Sequence, residues 1–291
     1  MDALFRADLA DWTAAPSDAL QHEAIAALES GRVLLFPQLP FVLRENETAL
    51  LSPSLSNGRA KNISLDPSGK LKHTDVSADQ HETLRAMMER FAQSSVALVG
   101  NLFPGYAAKL ERARTSYRPV EIAGRSYSPV KDDTRLHVDA FPTRPMRGRR
   151  ILRLFTNINP NGAPRLWHTG EPFEDMAKKI LPKVREPIAL TPLLLAAVGA
   201  TRGRRSAYDN LMLGLHDNAK LDESYQRATV HNEIAFPAGS TWLCFTDQVM
   251  HAALAGQYVL EQTFHLDIDA MAEPTRAPIK VLERMTGRTL A

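Results

Sequence analysis

Two spacings of hydrophobic residues alternate along the chain. Between Ser17 and Ser30 the apolar positions Leu20, Ala24, Ala27 and Leu28 recur every three to four residues, which predicts a helix. Ser17 stands where an N-cap hydroxyl is needed, and Gly31 where the chain must stop and turn. A strand over Arg32 to Phe36 should follow. Ser77 and Gln80 form a capping-box signature, and Leu84, Met87, Met88 and Phe91 carry the helical spacing on to about Leu98. A second helical stretch is expected near Tyr106 to Arg114, whereas residues 52–74, rich in Ser, Pro, Gly and Asn, read as loop.

From Thr115 the period shortens. TSYRPVEI, RSYSPV, RLHVDAF and ILRLFTNIN are short β-prone segments separated by turns. Residues 174–226 turn helical, and the β texture returns in VHNEIAF, STWLCF and YVLEQTFHLDI. The expected architecture is α+β, one domain over 1–291. A mainly helical layer (1–114) packs on a jelly-roll core (115–270), a cupin-like double-stranded β-helix interrupted by the helical insert at 174–226, and a tail (271–291) follows.

Composition narrows the function classes. A chain of 291 residues that is 44% hydrophobic and 23% charged can bury a large core. Its 35 basic against 33 acidic side chains argue against coating nucleic acid, which usually needs a strongly basic face. One cysteine, Cys244, excludes an intramolecular disulfide and a Cys-cluster zinc. MDALFRADLADW lacks the basic and apolar regions of an export signal, so a cytoplasmic location is expected, and the Asn62-Ile-Ser64 sequon is read as chance. The longest apolar run, Ile188 to Ala200, is thirteen residues with Pro192 inside, too short for the ~20 residues of a spanning helix. It reads as a buried segment; the alternative, raised by Arg202, Arg204 and Arg205 just behind it, is contact with an anionic membrane surface.

The chemistry concentrates on His137-Val-Asp139. On a strand, residues two apart share a face, so an imidazole and a carboxylate converge. The motif is weak alone, and His265-Leu-Asp267 repeats it. Only the first has a later histidine to complete a set: His251, between two β segments, where a jelly roll can return a third ligand. Two His and one carboxylate leave three metal positions open, as in non-haem Fe(II) oxygenases. A hydrogen-bonded His–Asp pair without metal is the plainer alternative. A zinc hydrolase is another, but it lacks an H-E-x-x-H motif or a neighbouring Glu as base.

A 2-oxo dicarboxylate cosubstrate would need a buried cation for its far carboxylate. The position about ten residues past the last histidine holds Gln262. Arg153 occupies the other arrangement, about fifteen residues after H-x-D, on a strand whose one face carries Arg153, Phe155, Asn157 and Asn159. Arg153 is therefore expected to hold the carboxylate, with Thr134, Gln262 and Asn157 beside it. Arg144, Arg147, Arg149, Arg150 and Arg153 form an acid-free run: either solvated surface or a site for an anionic substrate.

RLHVDAFPTRPMRGRRILRLFTNINP together with FTDQVMHAALAGQYVLEQTFHLD resembles the bacterial Kdo hydroxylase family over most of the chain. The resemblance implies an iron(II)- and 2-oxoglutarate-dependent oxygenase, using O₂, that hydroxylates C3 of a 3-deoxy-D-manno-oct-2-ulosonic acid (Kdo) residue on a lipid A precursor to give Ko. It implies His137, Asp139 and His251 as iron ligands and Arg144, Arg147, Arg149 and Arg150 as substrate contacts. It also implies work at the cytoplasmic face of the inner membrane, in peripheral contact with it. A competing reading of a different class is a catalytically silent jelly roll that binds acidic glycans.

Overall fold

The computed structural model describes residues 2–185 and 203–291; the apolar run 188–200 and Arg202 lie outside the described residues. The first predicted helix forms over Asp18–Glu29, with the Ser17 hydroxyl accepting the Leu20 N–H at 3.3 Å and Gly31 at φ +85° behind it. The helix opened by Ser77 spans Ala78–Leu102, one turn longer than its apolar spacing predicts. Each leucine or phenylalanine that these two helices bury contributes on the order of 1.5–3 kcal/mol.

Eleven strands among the described residues build two sheets. In chain order they are β1 Leu4–Arg6, β2 Val33–Phe36, β3 Ile63–Leu65, β4 Leu71–Lys72, β5 Leu110–Arg118, β6 Arg150–Asn157, β7 Arg165–Thr169, β8 Asn232–Phe236, β9 Thr241–Phe245, β10 His251–Ala255 and β11 Val259–Leu266. The large sheet runs β1-β2-β9-β6-β11-β5-β3-β4 and the small one β10-β7-β8. Val33, Leu35, Phe155, Trp242, Cys244 and Val259 of the large sheet meet Trp167, Ile234, Phe236 and Ala253 of the small one in a single buried cluster. The two sheets thus close on each other as a jelly roll, and the helices cover the outer face of the large sheet through Leu34, Leu152, Leu154, Leu243 and Phe264.

Several expectations need correction. The segment read as a second helix to Arg114 is a 3-10 turn, Pro104–Lys109, and β5 begins at Leu110, because antiparallel pairing with β11 from Leu110 to Arg118 holds the backbone extended. Loop 52–74 holds β3 and the edge strand β4. With β1 and β2, these put four strands of the large sheet within the stretch read as mainly helical. The insert contains helices Phe173–Ile180, Ala207–Leu221 and Glu223–Ala228. The tail folds into helix Pro278–Thr286, whose Ile279, Val281 and Leu282 are buried. Among the described residues no helix is long and apolar enough to cross a membrane.

Candidate metal centre

His137 does not lie on a regular strand. It forms an isolated antiparallel bridge with His251, the two residues exchanging N–H···O bonds of 3.0 and 2.9 Å. Asp139 is then fixed by its own N–H to the Thr246 carbonyl at 2.7 Å, at the end of β9. Three backbone anchors from segments more than 100 residues apart therefore place the three side chains. Their ligand atoms all lie within 4.8 Å of one another, and among the described residues no other such group of three exists.

The ring orientations follow from backbone carbonyls. His137 Nδ1 lies 2.8 Å from Arg135 O, and His251 Nδ1 lies 2.8 Å from Val249 O. A carbonyl only accepts, so both rings carry their proton on Nδ1 and present an Nε2 lone pair. Burial, and for His137 the neighbouring His251, lowers both imidazole pKa values below the ordinary histidine value, so both rings are neutral. Burial opposes the charge on Asp139, but the Arg153 guanidinium beside it outweighs that and holds the carboxyl below its usual range. Asp139 Oδ2 is buried without a hydrogen-bond partner, although Arg153 Nε sits 3.1 Å away, out of line for one. Two neutral imidazoles and an under-satisfied carboxylate fit a divalent cation of the Fe(II) or Zn(II) type.

Arg153 lies on the inner face of β6 with Phe155, as its alternation predicts. Its Nη1 is 3.2 Å from Glu261 Oε1, and Arg118 bonds the same carboxylate through Nε at 3.1 Å. A cavity of about 260 Å³ opens beside this group, lined by Arg114, Arg118, Arg144, Arg153, Glu261 and His265 among others. Below it Phe155, Trp167, Phe236 and Trp242 pack ring on ring, Trp167 stacking on His251 at 5.2 Å. That aromatic floor packs directly beneath His251.

The other predicted residues are elsewhere. Gln262 is paired in register with Leu154 and Thr115, on the outer face of the sheet, where it accepts from Thr115 Oγ1 at 2.6 Å. Its neighbours Glu261 and Thr263, one residue either side, are those that face inward, as a two-residue period requires. Thr134 is exposed and its hydroxyl donates to Asp132 at 2.8 Å. Asn157 ties the β6 end to Ala163 O and Phe236 O at 3.0 and 3.1 Å, four residues from Arg153. None of these three is hydrogen-bonded to Arg153.

The arginine run is not a uniform patch either. Arg150 is fully buried, bonded to Asp247 at 2.8 Å and Gln248 at 2.6 Å, with its guanidinium 3.8 Å over the Phe245 ring; it is part of the core. Arg144 and Arg149 share Glu111 at 2.7 and 2.6 Å. Arg147 is exposed, its backbone N–H bound by Asp209. Sequence spacing overlooks Arg118 and Glu261 because they precede or follow the motif by no fixed distance. Their signal is the polar alternation Arg114, Ser116, Arg118 on β5 and Glu261, Thr263, His265 on β11.

Comparison with known proteins adds to this geometry. A sequence model of the 3-deoxy-D-manno-oct-2-ulosonic acid (Kdo) hydroxylase family matches residues 11–289. A solved structure of the Kdo hydroxylase KdoO, a non-haem Fe(II) α-ketoglutarate dependent dioxygenase, in complex with cobalt(II) is 46% identical. It superposes with a TM-score of 0.97 over 99% of this chain and 97% of that one. The same enzyme with α-ketoglutarate and Fe(III) is 45% identical, TM-score 0.96, over 100% and 98% of the two chains. No curated protein sequence matches. A near-complete match to the family, carried on a fold and a two-histidine, one-carboxylate cluster of the required kind, leads to one conclusion: the chain belongs to the Kdo hydroxylase family.

Proposed function

We propose that this chain is an Fe(II)- and 2-oxoglutarate-dependent dioxygenase that hydroxylates C3 of a Kdo residue on a lipid A precursor, giving Ko. The observation that carries the reading is the convergence of His137, Asp139 and His251 beside a cavity lined with arginine. Bound iron, with O₂ and 2-oxoglutarate, supplies the oxidising chemistry, the cosubstrate leaving as succinate and CO₂. His137, Asp139 and His251 would hold the iron and, being only three ligands, would leave room on it for cosubstrate and O₂.

Arg153 holds the far carboxylate of 2-oxoglutarate, with Arg118 as a second cation; Glu261 keeps both guanidiniums in place. Neutral imidazoles suit this role, and no side-chain base is needed to remove hydrogen from carbon. Arg144 faces an anionic substrate from the cavity wall, and Arg149 shares its Glu111 carboxylate. A substrate carried by a lipid brings the enzyme to the cytoplasmic face of the inner membrane, in peripheral contact.

The test is anaerobic titration with Fe(II) and 2-oxoglutarate, followed by mass spectrometry of Kdo-bearing lipid A precursors after O₂ is admitted. The expected result is a weak visible charge-transfer band and then a product heavier by one oxygen, with succinate. A zinc hydrolase would act without O₂ and release no succinate. A glycan-binding jelly roll would bind sugar and give neither band nor product; either outcome refutes the proposal.

A further inference from the structure

The charges around the cavity divide into two groups. Near the metal ligands, Arg118 and Arg153 face Glu261 and Asp139, two positive against two negative. A divalent metal and a dianionic cosubstrate balance each other and leave that inner group neutral. Farther out, Arg144 of the cavity wall shares the single carboxylate of Glu111 with Arg149, which stands outside the lining. Arg114, exposed on β5, has no hydrogen-bond or ionic partner among the described residues. Three guanidiniums against one carboxylate leave a surplus of two positive charges that nothing in the metal or cosubstrate chemistry consumes.

A buried neutral group stands among them. His265 is 1% exposed and forms part of the cavity wall, and its Nδ1 has no hydrogen-bond partner. The nearest carboxylate oxygen, Glu111 Oε1, is 3.9 Å away. Burial, then Arg144 and Arg149, lowers its pKa to about 3, so the ring carries one N–H and one lone pair. A buried polar atom without a partner costs on the order of 1–3 kcal/mol unless something supplies one. Phe141, edge-on to His265 at 6.2 Å, gives the same wall an apolar surface on which the carbon face of a sugar can rest.

We infer that the rim of this cavity is a sugar-acid subsite in which Arg114 and Arg144 take the sugar carboxylate and His265 reads an adjacent hydroxyl. The inference rests on the proposed function and deepens it. It moves the main carboxylate contact from the arginine run to β5 and assigns His265, which belongs to the second H-x-D match, a role in specificity. Arg114 supplies the cation that is free before substrate arrives. Arg144 is the cation that exchanges a share of Glu111 for the ligand.

The experiment uses Co(II)- and 2-oxoglutarate-loaded protein, which does not turn over, titrated calorimetrically with the methyl glycoside of Kdo and with its methyl ester. Loss of a charge-assisted pair corresponds to tenfold or more in affinity. Arg114→Gln is expected to weaken the glycoside about tenfold or more. The ester should bind wild type about as weakly as the acid binds the variant, and 2-oxoglutarate should titrate as in wild type. His265→Asn is expected to weaken acid and ester by the same factor, because it removes a hydroxyl contact and no charge. If Arg114→Gln keeps glycoside affinity within about twofold, or if acid and ester bind wild type equally, the subsite assignment is overturned. If Arg114→Gln instead loses 2-oxoglutarate, the residue serves the cosubstrate and the inference is equally overturned. A failure of the proposed function is separate, since it shows as wild-type protein that does not take up 2-oxoglutarate at all.

Discussion

Replacing Arg150 by Met separates a core residue from a substrate contact. The guanidinium is wholly buried, bonded to Asp247 at 2.8 Å and to Gln248 at 2.6 Å, and lies 3.8 Å over Phe245. Removing it leaves Asp247 unpaired in the core, a change that typically costs ~3–5 kcal/mol. Unfolding entropy of ~2.1 cal/mol/K per residue gives ~0.6 kcal/mol/K over this chain, so Tm should fall by about 5–8 °C. Burial already raises the Asp247 pKa against the pull of Arg150, and without Arg150 it rises further. A folded-state pKa above the unfolded value of ~3.9 means stability present at low pH and lost as pH rises through the folded pKa. The deficit relative to wild type should therefore grow as pH rises from the wild-type folded-state pKa to the higher one of the variant, by ~1.4 kcal/mol for each pH unit between them. Asp247→Asn in the same chain should recover most of the loss, because it removes the charge yet keeps a carbonyl for the Ile151 N–H. Differential scanning fluorimetry across this pH range is the assay. A pH-independent deficit, or an unchanged Tm with a raised KM for the sugar, would refute the reasoning and return Arg150 to the substrate.

Other outcomes follow from the same geometry. Ala at His137, Asp139 or His251 should abolish Co(II) uptake, read by its visible spectrum, while leaving the far-ultraviolet circular dichroism unchanged. Gln262→Met should cost ~1–3 kcal/mol, since Thr115 Oγ1 loses its buried acceptor, without altering 2-oxoglutarate affinity; a weakened affinity would put the residue back in the site. Gly256→Ala should be destabilising by of order 1–3 kcal/mol in urea titration, because φ is +108° and a Cβ would lie 3.0 Å from Pro164 O. Saturating the metal-loaded protein with 2-oxoglutarate at 100 times Kd should add ~2.7 kcal/mol, a Tm rise of about 4 °C, and Arg153→Ala should remove it.

The elements set by local pattern were readable: capped helices at Ser17 and Ser77, the β6 alternation, and the triad with its return at His251. Errors arose where tertiary context overrides local signal. Leu110 to Arg114 carries a spacing compatible with either helix or strand, and pairing with β11 decides it. Gln262 was counted from His251 along the chain, but one residue of offset on a strand reverses the face. The arginine run lacked acids only in sequence; Glu111 and Asp247 reach it from 33 and 97 residues away. The same alternation that exposes Arg153 on β6 marks Arg118 on β5 and Glu261 and His265 on β11.

One strand, β6, separates two kinds of constraint. Leu152 and Leu154 answer only to the helices outside, and Arg153 and Phe155 only to the barrel within. Substitutions at its centre should therefore fall into two interleaved classes: Leu152 and Leu154 tolerant of any aliphatic of equal volume, Arg153 and Phe155 intolerant of changes that leave stability intact. A family can then renew its scaffold and retune its substrate independently, although both are encoded in adjacent codons.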